Sequence, residues 1–233
     1  MYKNWNSART DRMTSSPLNH VFVDADRIAL ELRRGFGLEV ADLEDVGTAI
    51  YQGFIQVSAL HPKGFNGTNA WASGTARLRA IQVPRGWVPE DPHGQPRITA
   101  PSGKLSITVS SGNADTGVPH RMPQTRNDKG SQTARSVHYN AAQGLLFTVA
   151  EPAQVVRLRE EGQALWMLLY YIDLEAGHLR MELSRPRGMS DADKINDWSI
   201  RYILPPMPLV SDLGDIAPDA LPDIDFDVLP KQS

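Results

Sequence analysis

Three apolar runs in the last third of the chain constrain its fold more than any other feature. They are ALWMLLYYI at 164–172, HLRMELS at 178–184 and WSIRYILP at 198–205. In the last two runs apolar residues alternate with polar ones, which is typical of a β-strand whose two faces meet different surroundings. Strands that follow one another directly along a chain commonly pair as an antiparallel meander. The sequence therefore predicts a three-strand meander formed from these runs.

The first half of the chain carries apolar residues at the spacing of α-helices. The segments with this spacing are 19–35, 40–60 and 71–81. The glycine-rich residues 63–69 predict a turn between the second and third helices. The proline-rich residues 84–103 predict an irregular connection.

The middle of the chain alternates between strand and helix patterns. Residues 104–111 (KLSITVSS) predict a half-buried strand, residues 133–143 a helix, 145–149 a further strand and 154–162 a short helix or edge strand. Because helices come first and strands cluster later, we expect an α+β fold. Its helical N-terminal half would pack on an antiparallel sheet that ends in the meander.

Composition divides the chain into three parts. We expect residues 1–17 to be a flexible arm, since they are polar and have no periodicity. Residues 18–205 form a single predicted α+β domain. Residues 206–233 are rich in proline and aspartate, and a segment of this composition cannot build a core by itself. We therefore expect an extended acidic C-terminal tail that is either disordered or draped over a surface.

Several classes of protein are disfavoured by the residues that are absent. The 233-residue chain has no cysteine, which excludes disulfides, thiolate metal sites and a cysteine nucleophile. Its longest apolar run has nine residues, where a membrane span needs about 20. The polar N-terminus lacks the apolar core of a signal peptide. We expect a soluble, cytoplasmic protein without membrane contact.

The sequence carries no recognisable catalytic motif. Its six histidines are scattered, and neither a GxSxG nor a GxGxxG pattern occurs. Glu182 alternates with apolar residues of a predicted strand, so we expect it to be solvent-exposed. His120 and His138 flank a basic loop and are the candidates for acid–base chemistry, although histidines at a surface are commoner. We expect no catalytic residue, no metal and no cofactor.

The basic loop, SSGNADTGVPHRMPQTRNDKGSQTARSV at 110–137, is the predicted functional site. A strand enters it and a helix leaves it, and the free amide groups at the start of a helix attract anions. Four Lys or Arg residues face only two Asp residues between positions 111 and 139, although the whole chain has a net charge of −3. The residues predicted to contact phosphate are Arg121, Arg126, Lys129, Gly130, Ser131, Thr133 and Arg135.

A second basic surface would arise if three arginine pairs converge with this loop. They are Arg33 with Arg34, Arg77 with Arg79, and Arg185 with Arg187. Each pair alone is more typical of a solvated face. Trp71, Trp87 and Tyr139 are the aromatic candidates for stacking on a nucleobase, although all three also suit packing in a core.

The predicted function is binding without catalysis. We expect a nucleic-acid or nucleotide-phosphate binding module, and the order of elements is typical of an accessory subunit of a prokaryotic nucleic-acid system such as defence. One alternative is a protein–protein assembly subunit that uses the meander at 164–204 and the tail at 206–233. A second alternative is a metal-independent phosphoesterase. The alternating acidic and apolar residues 223–229 could bind a partner or compete with nucleic acid for the basic loop.

Overall fold

The computed structural model of the chain describes residues 19–149 and 163–209, with the backbone alone for 143–149. The predicted arm, the segment 154–162 and the tail from residue 210 onward lie outside the described residues. Among the helices of the described part, none is long and apolar enough to cross a membrane.

Four α-helices and one eight-stranded sheet make up the described domain, which confirms the α+β class. The helices are α1 (Ala25–Phe36), α2 (Val40–Ile55), α3 (Phe65–Gln82) and α4 (Ser131–Val149). The strands are β1 (His20–Phe22), β2 (Val88–Glu90), β3 (Arg97–Thr99), β4 (Leu105–Ser111), β5 (Ala164–Asp173), β6 (His178–Met189), β7 (Ile195–Ile203) and β8 (Met207–Pro208).

The sheet is mixed, so the prediction of a purely antiparallel sheet was wrong. Its strand order is β1-β7-β6-β5-β4-β3-β2, and β8 pairs with the start of β6. The meander of β5, β6 and β7 is antiparallel as predicted. However, β4 pairs in parallel with β5, and β1 pairs in parallel with β7. The connection through α4 returns the chain to the end of the sheet where β4 began, which a parallel pair requires.

Helices α1, α2 and α3 cover one face of the sheet. The buried residues Ile28, Leu32 and Phe36 follow the helical period along α1, and they join a core that includes Leu168 and Leu183 of the sheet. This amphipathic pattern is the signal that predicted the helix. It also shows why α1 is stable only when its apolar face lies against the sheet.

Three boundaries in this helical layer differ from the prediction. Residues 20–22, predicted as the start of the first helix, form strand β1, and α1 begins only at Ala25. Helix α2 ends at Ile55 instead of residue 60, and α3 begins at Phe65, inside the segment predicted as a turn. Gly64 precedes α3 with a φ of 80°, a left-handed conformation that glycine adopts without strain. Burial of Ala70 then outweighs the weak helix propensity of the glycines around it.

Two further segments were assigned the wrong structure. Residues 84–103 contain β2 and β3, with Pro89 on the edge strand, where a missing backbone N–H is tolerated. Residues 145–149 are the end of α4 and do not form a strand. A short apolar run has no periodicity that separates the two structures. Strand β4 is buried on both faces from Ser106 to Ser110, since helices and loops cover both sides of it.

The opposite face of the sheet is covered by α4 and by the loop between β4 and α4. Val137 of α4 packs with Met167, Leu169, Ile195 and Trp198 of the sheet in a second, smaller core. The domain therefore has three layers, with the sheet in the middle. Strands β5 and β6 lie inside the sheet, and each is paired with a neighbouring strand along both of its edges.

The expected exposure of Glu182 was also wrong, because the loop covers it completely. Its carboxylate lies 2.5 and 3.0 Å from nitrogens of Arg201, and both side chains are buried. The Gly117 backbone N–H also donates to Glu182 at 2.9 Å. Arg201 in turn donates to the backbone carbonyls of Arg121 and Val118. The alternation along β6 was read correctly, but the sequence gives no sign that the second face is covered.

Candidate ligand pocket at the ends of β4 and β5

A pocket of about 1070 Å³ opens where β4 and β5 end. The two strands are parallel, so both of their C-terminal ends reach this edge of the sheet. Helix α3 begins beside the pocket on one face of the sheet, and α4 begins beside it on the other. In open sheets with parallel strands, ligands bind outside the carboxyl ends of the strands. The pocket has the size and concave shape of a small-molecule site.

The basic loop is anchored to the sheet along its length. Gly112 and Thr125 form an antiparallel bridge, and the Thr125 N–H donates to the carbonyl of Ile195 at 2.9 Å. The buried indole of Trp198 donates to the carbonyl of Pro123 at 2.8 Å. The Lys129 N–H donates to the carbonyl of Asp193 at 2.8 Å. These contacts fix the segment that leads into α4.

Lys129 directs its amine into the pocket, toward the end of β4. Its Nζ donates a hydrogen bond of 2.8 Å to the hydroxyl of Ser110. Burial lowers the pKa of Lys129 to about 8, although the nearby carboxylate of Asp128 favours the charged form. The guanidinium of Arg126 lies at the same pocket and is exposed, without an ion pair to any described residue. Two cationic groups therefore meet one carboxylate here.

Two helix N-termini add partial positive charge to the pocket. Gly130 and Ser131 line it at the start of α4, and Asn66 and Thr68 line it at the start of α3. The first amides of a helix lack partners inside the helix, and the helix dipole is positive at that end. Neither first turn contains an acidic residue. At the start of α3 the N–H groups of Phe65 and Gly67 already donate, to the Pro62 carbonyl and to the Asn66 side chain, so the start of α4 is the better place for an anion.

One buried side chain in the pocket has an unused hydrogen-bonding atom. Gln95 donates from its amide nitrogen to the Thr133 hydroxyl at 3.0 Å, while its amide oxygen has no partner among the described residues. Gln95 is 9% exposed, so this oxygen has little access to solvent. Buried polar atoms are normally paired. The oxygen is itself buried, so it is an unsatisfied group of the pocket wall and not one that an incoming ligand contacts directly.

An apolar and aromatic surface lines the rest of the pocket. It includes Phe54, Trp71, Tyr171 and Ile172. The Trp71 indole donates to the carbonyl of Val109 at 3.1 Å, which fixes the plane of the ring. The guanidinium of Arg180 lies 5.0 Å from the centre of the Tyr171 ring, within the range of a cation–π contact. Trp71 thus lines the pocket in addition to packing against the core.

Five of the seven predicted phosphate contacts line this pocket, and two do not. The lining residues are Arg126, Lys129, Gly130, Ser131 and Thr133. Arg121 is exposed outside it and pairs with Asp115 at 3.2 Å. Arg135 is exposed on α4, outside the lining.

The other basic and aromatic candidates do not join the pocket. Of the arginines that would have formed a second basic surface, four pair with aspartate or glutamate, which neutralises their charge; they are Arg33, Arg77, Arg79 and Arg187. Trp87 is buried in the core, and Tyr139 lies outside the pocket lining.

The two histidines predicted as candidates for acid–base chemistry also lie outside the pocket. His120 and His138 are exposed and do not line the pocket, whereas His93 does. His93 has a φ of 48°, a conformation that non-glycine residues adopt rarely and that often occurs at functional sites. Because His93 lies in the segment predicted as an irregular connection, the sequence offers no sign of its position.

Sequence reasoning missed Ser110, Gln95 and Tyr170 as pocket residues. Ser110 is detectable in principle, because it ends the strand that enters the basic loop. Gln95 and Tyr170 come from distant parts of the chain, and only the pairing of strands brings them together.

Comparisons with protein-family models, with curated proteins and with solved structures find no match to this chain. Within residues 19–149 and 163–209, no cluster of three or more His, Asp or Glu side chains is arranged to hold a metal ion. The pocket is therefore the feature of the described residues that points to a function.

Proposed function

We propose that the protein binds a phosphate-bearing ligand of nucleotide size in the pocket at the ends of β4 and β5. The observation that carries this proposal is the position of the Lys129 amine, which lies beside the start of α4 inside a cavity of about 1070 Å³. A cation next to unpaired helix amides is the arrangement that proteins use to hold phosphate groups.

The rest of the pocket supports a nucleotide over a simple inorganic anion. Trp71 and Tyr171 offer ring faces on which a base can stack, an interaction worth about 1–3 kcal/mol. These features recognise the part of a nucleotide that phosphate does not provide.

A free nucleotide is favoured over a long nucleic acid because of the charge distribution. Four of the arginines that would have followed a polynucleotide backbone are paired with carboxylates. Two cations, Arg126 and Lys129, line the concave site. The sequence analysis predicted nucleic-acid binding. The form of the present proposal closest to that prediction is one in which the end of a nucleic-acid strand enters the pocket.

The assembly alternative has less support. Its proposed surface is the meander, but the edges of β5 and β6 are already paired inside the sheet, so a partner strand cannot add there. A role for the tail stays a prediction.

The proposal is tested by titrating ATP, GTP, pyrophosphate and a labelled ten-nucleotide single strand into the full-length protein by calorimetry or fluorescence anisotropy. We expect nucleotide binding that weakens as salt rises, because phosphate contacts release counterions. Replacing Lys129 by Met should weaken nucleotide affinity about 10- to 100-fold, since a hydrogen bond from a charged group is worth about 1.5–3 kcal/mol.

Matched controls come from the two predicted arginines outside the pocket. Arg135→Ala and Arg121→Ala remove the same charge from exposed positions and should leave the affinity unchanged. If no nucleotide and no oligonucleotide binds at low salt, or if Arg135→Ala weakens binding as much as Lys129→Met, the proposal is wrong.

A further inference from the structure

Ser110 and Lys129 form a polar pair that phosphate binding alone does not require. The Lys129 Nζ lies 2.8 Å from the Ser110 Oγ, and both residues line the pocket. The other contact of this hydroxyl is with the carbonyl oxygen of Ser111 at 3.3 Å, which is long for a hydroxyl hydrogen bond. The hydroxyl proton can therefore turn from Ser111 to an uncharged Lys129 amine at little cost.

We propose that Ser110 and Lys129 act as a nucleophile and its general base, and that the pocket hydrolyses a carboxylic ester through an acyl-serine intermediate. Serine becomes nucleophilic when an adjacent base accepts its proton, and a lysine fills this role in some enzymes that act without a histidine. The proposal uses the same pocket as the proposed function but does not rest on the phosphate of a ligand.

The reaction balances with these two side chains and water. Ser110 Oγ attacks the ester carbonyl carbon while its proton passes to Lys129 Nζ, and a tetrahedral oxyanion forms. The oxyanion collapses, the bond to the leaving alcohol breaks, and the alcohol oxygen takes the proton from Lys129. Water then attacks the acyl carbon and gives its proton to Lys129. The second tetrahedral oxyanion collapses, the bond to Ser110 Oγ breaks, and Oγ takes the proton back from Lys129, which releases the carboxylic acid and restores both side chains.

The pocket supplies donors for the negative charge that develops. Gly130 and Ser131, at the start of α4, line the same cavity as Ser110, and the first amides of a helix have no partner inside the helix. Backbone amides aimed at a developing oxyanion are a major source of rate enhancement in acyl transfer. A carbonyl intermediate carries one negative charge, which suits two or three amides.

Lys129 must lose its proton to act as the base. Burial lowers its pKa to about 8, against the effect of Asp128. The charged side chain of Arg126 lines the same cavity. We therefore expect acylation to accelerate as the pH rises through 8, whereas binding of an anion by the charged amine should weaken over the same range.

The test uses a small alkyl fluorophosphonate and p-nitrophenyl acetate on the full-length protein, with the adduct located by mass spectrometry. We expect one adduct, on Ser110, and a burst of p-nitrophenol. Ser110→Ala should abolish both. Lys129→Met should slow labelling at least 100-fold, the loss expected when a general base is removed.

The variant Lys129→Arg tests the role of Lys129 as a base separately from its positive charge, because arginine stays protonated and cannot accept the serine proton. This variant keeps a positive charge at position 129 and should lose acylation. Ser106→Ala is the matched control, since Ser106 lies on the same face of β4, is equally buried and is outside the pocket. It should label at the wild-type rate, and thermal melting should show that all variants are folded.

The outcomes distinguish this inference from the proposed function. No adduct with either reagent up to pH 9, an adduct on another residue, or full labelling of Lys129→Arg overturns the inference and leaves nucleotide binding untouched. Labelling of Ser110 in a protein that binds no nucleotide overturns only the proposed function.

Discussion

At the scale of single residues, the most informative side chain is that of the partly buried Lys129. The pKa of its amine falls from 10.5 to about 8 because the folded protein withholds water from it. Below pH 8 the amine is charged in both the folded and the unfolded chain, so folding must desolvate a charge. A residue that lowers stability in this way is expected where function requires it.

We therefore predict that Lys129→Met raises the free energy of unfolding at pH 7, by up to about 3 kcal/mol. As the pH rises from 8 to 10.5, the folded wild-type protein loses this proton before the unfolded chain does, so wild-type stability rises. The difference in the free energy of unfolding between Lys129→Met and the wild type should therefore shrink over that range. Urea denaturation at pH 7 and pH 10 measures this difference, and substitution of the exposed Lys104 by Met is the control. A gain that does not depend on pH would contradict the prediction.

The buried pair of Glu182 and Arg201 has the opposite effect when one partner is lost. We predict that Arg201→Met lowers the free energy of unfolding by about 3–5 kcal/mol, because it leaves a carboxylate buried without its cation. The double variant Glu182→Leu/Arg201→Met should be less destabilised than the single one. Denaturant titration of the two variants makes the comparison.

The exposed pair of Arg77 and Asp45 provides the control for this prediction. Its side chains are 46% and 43% exposed, against 1% and 0% for Arg201 and Glu182. Arg77→Met should therefore change the free energy of unfolding by about 1 kcal/mol or less. Equal effects of Arg77→Met and Arg201→Met would show that burial does not determine the cost.

At the scale of elements, the closest packing is between α2 and α3. A Cβ atom added at Gly74 would lie 2.4 Å from Ile50, and one added at Gly53 would lie 2.5 Å from Ser73. Glycine allows the two helix backbones to approach at these points. This close contact with α2 fixes the position of α3, whose first residues line the pocket.

We predict that Gly74→Ala destabilises the protein by about 1–3 kcal/mol, the usual effect of overpacking a core, despite the better helix propensity of alanine. Gly67→Ala is the matched control in the same helix, because a Cβ there meets nothing within 4 Å. It should be neutral or slightly stabilising. Melting temperatures of the two variants that rank in the reverse order would contradict this account.

Elements also show how far the sequence could predict the fold. Local patterns identified α1, β4 and the meander, because in these the period of the apolar residues is a property of the segment itself. They missed β2 and β3, whose pairing depends on partners far along the chain. The basic loop was located correctly before the start of α4. The part played by Ser110 and Gln95 was not visible, since their neighbours are defined only by the folded sheet.

At the scale of the whole molecule, the acidic C-terminal residues 210–233 carry six aspartates and one lysine. If they compete with an anionic ligand, as the sequence suggests, removing residues 210–233 should tighten nucleotide binding. The truncation should stop there, because Met207 and Pro208 belong to β8 in the sheet. Anisotropy titrations at low and high salt measure the change, which should vanish when the salt is high.

The charge of this segment can be tested without shortening the chain. Replacing Asp223, Asp225 and Asp227 by asparagine in the full-length protein should reproduce part of the effect. Equal affinities of the full-length, truncated and substituted proteins at low salt would remove the idea of competition and leave the pocket proposal unaffected.

The pairing of β1 with β7 has a consequence for how the protein is made. His20 lies opposite Ile200, so an edge strand near the start of the chain finds its partner only when the last long strand has left the ribosome. At about 5–20 residues per second, the 121 residues between the end of α3 and the end of β7 take roughly 6–24 s. During this time the sheet that covers the apolar faces of the first three helices is incomplete. The nascent chain therefore exposes apolar helix surface until β7 is complete.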